Sequence, residues 1–127
     1  MIRLKNAASV ALAAALVVSM AACGSDNGGS GSRDADKFYI GGIGPTTGNN
    51  AIYGTAVKNG IQLAVDEINA DGGINGYQIE YQFEDDQSDS EKSVNAYNTL
   101  KDWGMQMLVG TVTSAPCVAV VEESHAD

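Results

Sequence analysis

The chain has 127 residues, with sixteen Asp and Glu against seven Lys and Arg, two Cys and one His. This length fits one small domain. Arg3 and Lys5 lie in the first five positions and every acidic residue follows residue 25, so five basic residues face sixteen acidic ones after Cys23. Because a body this acidic repels phosphate backbones, we do not expect DNA or RNA as partners.

Residues 1–22 have the pattern of an export signal. Arg3 and Lys5 form a charged start, and an apolar stretch broken only by two serines follows. This stretch is shorter than the roughly 20 apolar residues that a membrane-spanning helix needs. Met20-Ala21-Ala22-Cys23 resembles the lipobox of bacterial lipoproteins. The resemblance implies that Cys23 is lipidated and that the lipid alone anchors the mature protein to a membrane surface.

Residues 23–36 are predicted to form the lipidated Cys and a flexible tether, because the stretch 24–32 contains no apolar residue. Residues 37–127 are predicted to form the folded part. Once Cys23 carries lipid, Cys117 has no disulfide partner, and we interpret it as a small core residue on an apolar helix face. One His and one Cys cannot assemble a zinc site, and we expect neither a metal nor a cofactor.

The folded part begins with a strand-like run and an amphipathic helix. Residues 38–43 are strand-like and lead into a turn-rich loop over 44–50. The helix is indicated by apolar residues at steps of three and four: Tyr53, Val57, Ile61, Ala64, Val65 and Ile68. It is predicted to end at Asp71-Gly72-Gly73, because glycine can adopt the left-handed conformation that closes a helix.

The next two strands carry different patterns. Residues 77–84 alternate strictly between apolar and polar side chains, which predicts a strand with one wet face at the margin of its sheet. Residues 105–109 are apolar apart from Gln106, which predicts a more central strand. Asp89 is the predicted N-cap of the second helix and Ser114 that of the third, with a proline in its first turn.

Three strands alternating with three helices predict an α/β fold with a parallel sheet. If the second strand is the edge, the strand order is 2-1-3. The chain then reverses direction across the sheet between the first and third strands, and open α/β sheets bind ligands in the crevice at such a point. We therefore expect a site between the loops 44–53 and 110–114.

These loops offer the parts of an anion site. Ser114 is expected at a helix start, where unpaired amides and the helix dipole favour an anion and its hydroxyl adds a donor. Val112 and Thr113 supply backbone groups beside it, and Tyr53 offers a flat ring across the crevice. This chemistry fits a small carboxylate with an apolar body. A capping serine and a core-facing tyrosine without any ligand are the alternative interpretation.

Residues 38–121 resemble one family of binding proteins through a series of short motifs. The motifs are Gly42-Ile43-Gly44-Pro45-Thr46-Thr47-Gly48, Tyr53-Gly54, Asn59-Gly60, Ala64-Val65-Asp66-Glu67-Ile68-Asn69, Gly72-Gly73-Ile74-Asn75-Gly76, Asp85-Asp86 and Gly110-Thr111-Val112-Thr113-Ser114. They are similar to those of the leucine/isoleucine/valine-binding proteins, which are type I periplasmic binding proteins. The resemblance implies two α/β lobes that close on an amino acid, with this chain as the first part of the N-terminal lobe.

The resemblance also implies roles for the four site residues. Ser114 is expected to donate to the ligand carboxylate, Val112 and Thr113 to contact it alongside, and Tyr53 to pack near the ligand's side chain. The protein is then not an enzyme but the extracytoplasmic solute-binding component of an ABC importer. It is expected to bind a branched-chain or related amino acid, to act as a monomer and to meet the permease subunits.

The length departs from the family, since two lobes of about 100 to 150 residues each are needed. We therefore expect the chain to be truncated within its first lobe. On its own it is expected to bind no amino acid with useful affinity, because one lobe cannot enclose the ligand. The alternative function for a protein of the same fold is that of the ligand-sensing domain of a receptor.

Other classes fit the motifs less well. Gly42-Ile43-Gly44 begins a dinucleotide-binding pattern, but Thr47 stands at the third glycine. The acidic stretch 85–89 lacks the glycine and distal glutamate of a calcium loop, and an acidic turn with an N-cap explains it. His125 is the only candidate base for a hydrolase, but it is predicted near the opposite end of the helix that Ser114 begins, so we interpret it as a surface histidine.

Overall fold

The computed structural model describes residues 34–127. The predicted signal peptide (residues 1–22), the lipidated Cys23 and most of the tether lie outside the described residues. The elements in chain order are β1 (Lys37–Gly44), α1 (Ala51–Ala70), β2 (Gln78–Asp85), α2 (Ser90–Trp103), β3 (Met107–Thr111) and α3 (Ser114–His125). None of the helices in this part of the chain is both long enough and apolar enough to cross a membrane.

The three strands form a parallel sheet in the order β2-β1-β3, which confirms the predicted α/β class and strand order. β1 pairs with β2 along its whole length, from Lys37 opposite Gln78 to Gly44 opposite Asp85. β2 is an edge strand, as its alternating pattern predicts. Within residues 34–127, β3 pairs with β1 alone.

The helices cover the sheet on both faces, and each face has its own core. Ile43 of β1 packs with α2 and α3 in one cluster of buried residues, which comprises Ile43, Ala96, Tyr97, Leu100 and Val120. Ile40 packs with Val65 of α1 and Ile79 of β2 in the other cluster. β1 is therefore buried on both sides. Because the strands are parallel, α1 and α3, which follow β1 and β3, begin at the same end of the sheet.

α1 ends as predicted, with Gly72 and Gly73 at φ of 99° and 81°. The side chain of Asn69 then ties the helix to the edge strand, donating to the carbonyl of Ile79 at 2.8 Å and accepting from its amide at 2.7 Å. The apolar face predicted for α1 is buried along only part of the helix. Val65 is buried, but the face is exposed at its N-terminal end, around Tyr53.

α2 is closed at both ends by its own residues. Asp89 is the N-cap, as predicted, and its carboxylate accepts from the amide of Lys92 at 3.0 Å. At the other end Gly104 has a φ of 99° and the amide of Met105 donates to the carbonyl of Leu100 at 3.0 Å. This Schellman closure uses Met105, so β3 begins two residues later than predicted.

Candidate ligand-binding site

The loops that follow β1 and β3 lie beside a cavity of about 690 Å³ at the carboxyl ends of the strands. Its lining residues are Asn50, Ile52, Tyr53, Ala56, Val57, Val112, Thr113 and Ser114. All four residues predicted from the sequence, Tyr53, Val112, Thr113 and Ser114, are therefore brought together at one cavity. The predicted crevice between these loops exists in the structure.

Two glycines allow close backbone packing around this cavity. A Cβ atom on Gly44 would lie 2.4 Å from Cγ2 of Val112, so only glycine allows the end of β1 to meet the loop after β3. A Cβ atom on Gly54 would lie 1.9 Å from the backbone oxygen of Pro45. The first turn of α1 is therefore seated directly on the loop that precedes it.

The register of β3 shifts just before the site. Gly42 pairs with Val109 but Ile43 pairs with Thr111, so that Gly110, with a φ of 57°, is the extra residue. Such irregularities re-aim the residues that follow them. Here the residues that follow form the loop beside the cavity.

One wall of the cavity is apolar and belongs to α1. Ile52 is 74% exposed, Tyr53 63% and Val57 39%. These side chains share the cavity rather than the protein core, so the interpretation of Tyr53 as a core-facing residue is wrong. Large apolar side chains grouped on an open concave surface are typical of ligand and protein contacts.

The other wall is the start of α3, and its register differs by one residue from the prediction. Thr113, not Ser114, is the N-cap, and Ser114 is the first helical residue, with its side chain exposed. Pro116 lies in the first turn, as predicted. The Thr113 side chain makes no capping hydrogen bond, its hydroxyl is buried without a partner among the described residues, and the first turn contains no acidic residue. The amides and the positive dipole end of α3 are therefore not neutralised by any side chain within residues 34–127.

The start of α1 is only partly open, because the amides of Ala51 and Tyr53 donate to the carbonyls of Gly48 and Asn50. Its N-cap, Asn50, makes no side-chain capping bond, and its amide group instead donates to the hydroxyl of Ser88 at 2.9 Å. The first turn of α1 also lacks acidic residues. Two helix N-termini without side-chain caps thus border one cavity, which favours a ligand that carries negative charge.

The acidic stretch 85–89 lies behind the β1–α1 loop and outside this cavity. Each of its three carboxylates accepts hydrogen bonds from the chain: Asp85 from Thr46, Thr47 and Gln87, Asp86 from Ser88 and Ser93, and Asp89 from Lys92. No cluster of three or more His, Cys, Asp or Glu suited to a metal ion occurs within residues 34–127. The contacts fit an acidic turn with an N-cap.

A second, smaller cavity of about 360 Å³ shares Val112, Thr113 and Ser114 with the first. Cys117 and Val118 of α3 contribute to its lining, and Cys117 is exposed. The prediction that Cys117 is a core residue is therefore wrong, because the core face of α3 is formed by Pro116 and Val120. His125 is the last residue of this helix, at the opposite end from Ser114, and it is exposed, as predicted.

The sequence prediction missed four lining residues: Asn50, Ile52, Ala56 and Val57. Ala56 and Val57 follow Tyr53 by three and four positions, so helical spacing places them on its face. That spacing could have identified them once Tyr53 was assigned to the site. Ile52 carried no such signal, because it lies outside the apolar stripe.

Comparison with known proteins agrees with this architecture. The periplasmic binding protein family matches residues 37–125. The Leu/Ile/Val-binding protein BraC3 of Rhizobium johnstonii is 44% identical over 81 residues, which are 64% of this chain and 22% of BraC3. The chain thus spans about a fifth to a quarter of the relatives it matches.

Two solved structures are similar to the chain. The branched-chain amino acid transporter substrate-binding protein LivJ of Streptococcus pneumoniae, in complex with isoleucine, superposes with a TM-score of 0.67 and 37% identity, covering 71% of this chain and 26% of LivJ. An ABC transporter solute-binding protein of R. palustris, in complex with benzoate, has a TM-score of 0.63 and 27% identity, covering 72% and 25%. These relatives are named as binding proteins. The chain belongs to the periplasmic binding protein family.

Proposed function

We propose that the chain is part of the solute-binding component of an ABC importer that binds a branched-chain or related amino acid. The observation that carries the proposal is the cavity itself. It joins an apolar wall from α1 to a helix start on α3 whose amides have no side-chain cap. A ligand with a carboxylate and an apolar body satisfies both walls at once.

The ligands of two similar structures support this chemistry. Isoleucine and benzoate, bound to the S. pneumoniae and R. palustris proteins, differ in shape and charge but share a carboxylate attached to an apolar group. This common feature supports the proposed ligand, because a carboxylate on an apolar group matches the two walls of the cavity. The identity with BraC3 and LivJ favours a branched-chain amino acid for this chain.

Each of the four residues predicted from the sequence then has a role that its position supports. Ser114, exposed at the first residue of α3, donates its hydroxyl to the ligand carboxylate, together with the free amides of the first turn. Val112 and Thr113 contact the ligand beside it. Tyr53 packs its ring against the apolar body, and burying such a ring face contributes through the hydrophobic effect.

The remaining parts of the proposal rest on the sequence and on the family. A second lobe closes over the open side of the cavity, and the closed protein delivers its ligand to permease subunits. The pattern of residues 1–22 and the lipobox at Cys23 support export and attachment to the outer side of a bacterial membrane by lipid. The protein acts there as a monomer.

The test uses a chimera in which residues 37–125 replace the matching segment of S. pneumoniae LivJ, here called the LivJ chimera. Isothermal titration calorimetry should show isoleucine binding to the chimera, and none of useful affinity to the 127-residue chain alone. Ser114→Ala in the chimera should weaken binding by about 1 to 3 kcal/mol, the usual loss when a charged acceptor is left short of a donor.

Val121→Ala on α3 is the matched control, because Val121 is exposed but does not line the cavity, and it should leave the affinity unchanged. Two results would contradict the proposal. One is a folded chimera that fails to bind isoleucine, leucine, valine or benzoate. The other is an affinity that Ser114→Ala does not change.

A further inference from the structure

We propose that Asp85 is a positioning residue that holds one wall of the cavity in place for the ligand. The wall consists of the β1–α1 loop (residues 45–50) and the first turn of α1. Asp85 does not line the main cavity, so any influence on a ligand passes through this loop. The inference rests on the proposed function, because positioning matters only if the wall contacts a ligand.

The carboxylate of Asp85 clamps the loop by three hydrogen bonds. Its Oδ1 atom accepts from the amides of Thr46 at 2.8 Å and Thr47 at 3.4 Å, and its Oδ2 atom accepts from the Thr47 hydroxyl at 2.5 Å. These residues are 38 and 39 positions away from Asp85 along the chain. One side chain at the end of the edge strand thus fixes the backbone just beyond the central strand.

The clamped loop is in direct contact with the cavity wall. Pro45 is buried, and the close approach of Gly54 to its carbonyl seats the first turn of α1 on it. Tyr53, which lines the cavity, is the neighbour of Gly54. A shift of the loop at Thr46 therefore displaces Tyr53, and small displacements of a positioning group weaken binding.

A second tie joins the same two segments. Asn50 lines the cavity, and its side-chain amide donates to Ser88, three residues after Asp85. The loop is thus held at both of its ends by the turn that follows β2. None of these contacts involves the buried cores of the sheet.

The turn that carries the clamp is itself rigidly held. Gln87 and Ser88 have φ values of 53° and 62°, which non-glycine residues adopt only when their surroundings enforce it. Asp85 accepts from the Gln87 amide at 3.1 Å, and the fully buried Asp86 accepts from the Ser88 amide at 2.8 Å. These hydrogen bonds hold Gln87 and Ser88 in their strained backbone conformation, so the turn is a rigid support for the loop.

The test compares Asp85→Ala with Asp89→Ala in the LivJ chimera. Both variants remove one carboxylate from the same acidic stretch, but Asp89 caps α2 and makes no hydrogen bond to the β1–α1 loop. Amide hydrogen exchange, measured by NMR without ligand, should accelerate about tenfold at Thr46 and Thr47 in Asp85→Ala, because two donors lose a charged acceptor. Asp89→Ala should leave these two amides unchanged.

Isoleucine affinity should fall about tenfold in Asp85→Ala and stay unchanged in Asp89→Ala. Asp85→Asn keeps an acceptor oxygen and should restore most of both properties, which a general loss of stability would not explain. Unchanged exchange at Thr46 and Thr47 in Asp85→Ala would overturn the inference, and so would equal effects in both alanine variants. Local acceleration in a chimera that binds no isoleucine would support the clamp and contradict the proposed function alone.

Discussion

Helices α2 and α3 begin in opposite ways. The start of α2 is satisfied by its own segment, since Asp89 accepts from its first turn and Glu91 places a negative charge there. The start of α3 has neither feature, although Thr113 stands at the same N-cap position. Of these two helix starts, that of α3 lines the cavity and that of α2 does not. We therefore propose that the neutralised start of α2 serves stability and the open start of α3 serves the ligand.

The contrast extends to the segments beside the two helices. The acidic turn before α2 directs its carboxylates at backbone amides and hydroxyls within the chain. The segment before α3, from the last residue of β3 onwards, instead buries the hydroxyls of Thr111 and Thr113 without hydrogen-bond partners in the described part of the protein. Leaving such groups unpaired is unfavourable.

The largest expected effect comes from giving α3 the start that α2 has. Thr113→Asp supplies a carboxylate that caps the first turn and occupies the place proposed for the ligand's carboxylate. In the LivJ chimera we expect isoleucine affinity to fall roughly a hundredfold, because like charges meet in a partly dry site. The free energy of unfolding without ligand should rise by about 0.5 to 1 kcal/mol, since the open helix end gains a cap.

Calorimetry and urea unfolding measure the two effects of Thr113→Asp. Thr113→Asn is the matched control, because asparagine caps a helix equally well without adding charge. It should stabilise the chimera to a similar extent and weaken binding far less. If both variants bind isoleucine equally well, charge at the α3 start does not matter to the ligand and the comparison fails.

A smaller effect is expected when the acidic turn is titrated. Burial raises the pKa of Asp85, but the hydrogen bonds from Thr47, Thr46 and Gln87 outweigh it and hold this pKa below its ordinary value. A carboxyl group whose pKa is lowered by folding stabilises the fold fully above its unfolded pKa of about 4. This contribution is lost as the pH falls through the folded pKa.

Urea unfolding of the LivJ chimera between pH 6 and pH 2.5 tests this expectation. The wild-type chimera should lose stability more steeply below about pH 4 than Asp85→Asn, which has no proton to take up at this position. Asp86 acts in the opposite sense, since burial raises its pKa and its protonation relieves that cost. Parallel pH profiles for the wild type and Asp85→Asn would show that Asp85 is not held by its hydrogen bonds.

The fold was predictable where a local pattern has one physical cause. Strict alternation over residues 77–84 arises from a strand with one wet face, and this pattern alone gave β2 its edge position and the sheet its order. Residues 105–109 gave a weaker signal for the start of β3, because an apolar residue suits either a strand or the end of a helix. Met105 was predicted to begin β3, but its amide closes α2 instead, and the strand begins at Met107.

The site was predictable to the level of its loops but not of its contacts. Tyr53 and Ser114 were assigned to one site because the strand order brings their loops together. Val57 was assigned only to the apolar face of the helix, because core and ligand cavities both require apolar side chains at helical spacing. The clamp from Asp85 to Thr46 joins residues 39 positions apart, and no local pattern encodes a contact of that kind.

The central claim is that the open start of α3 receives the ligand's carboxylate. Its most direct test is an NMR titration of the isotope-labelled LivJ chimera with isoleucine, following every backbone amide. The account predicts that the largest shifts occur at Ser114 and Ala115, with shifts at Tyr53 and none at Glu91 or Lys92 of α2. Saturable binding that leaves Ser114 and Ala115 unshifted would contradict it.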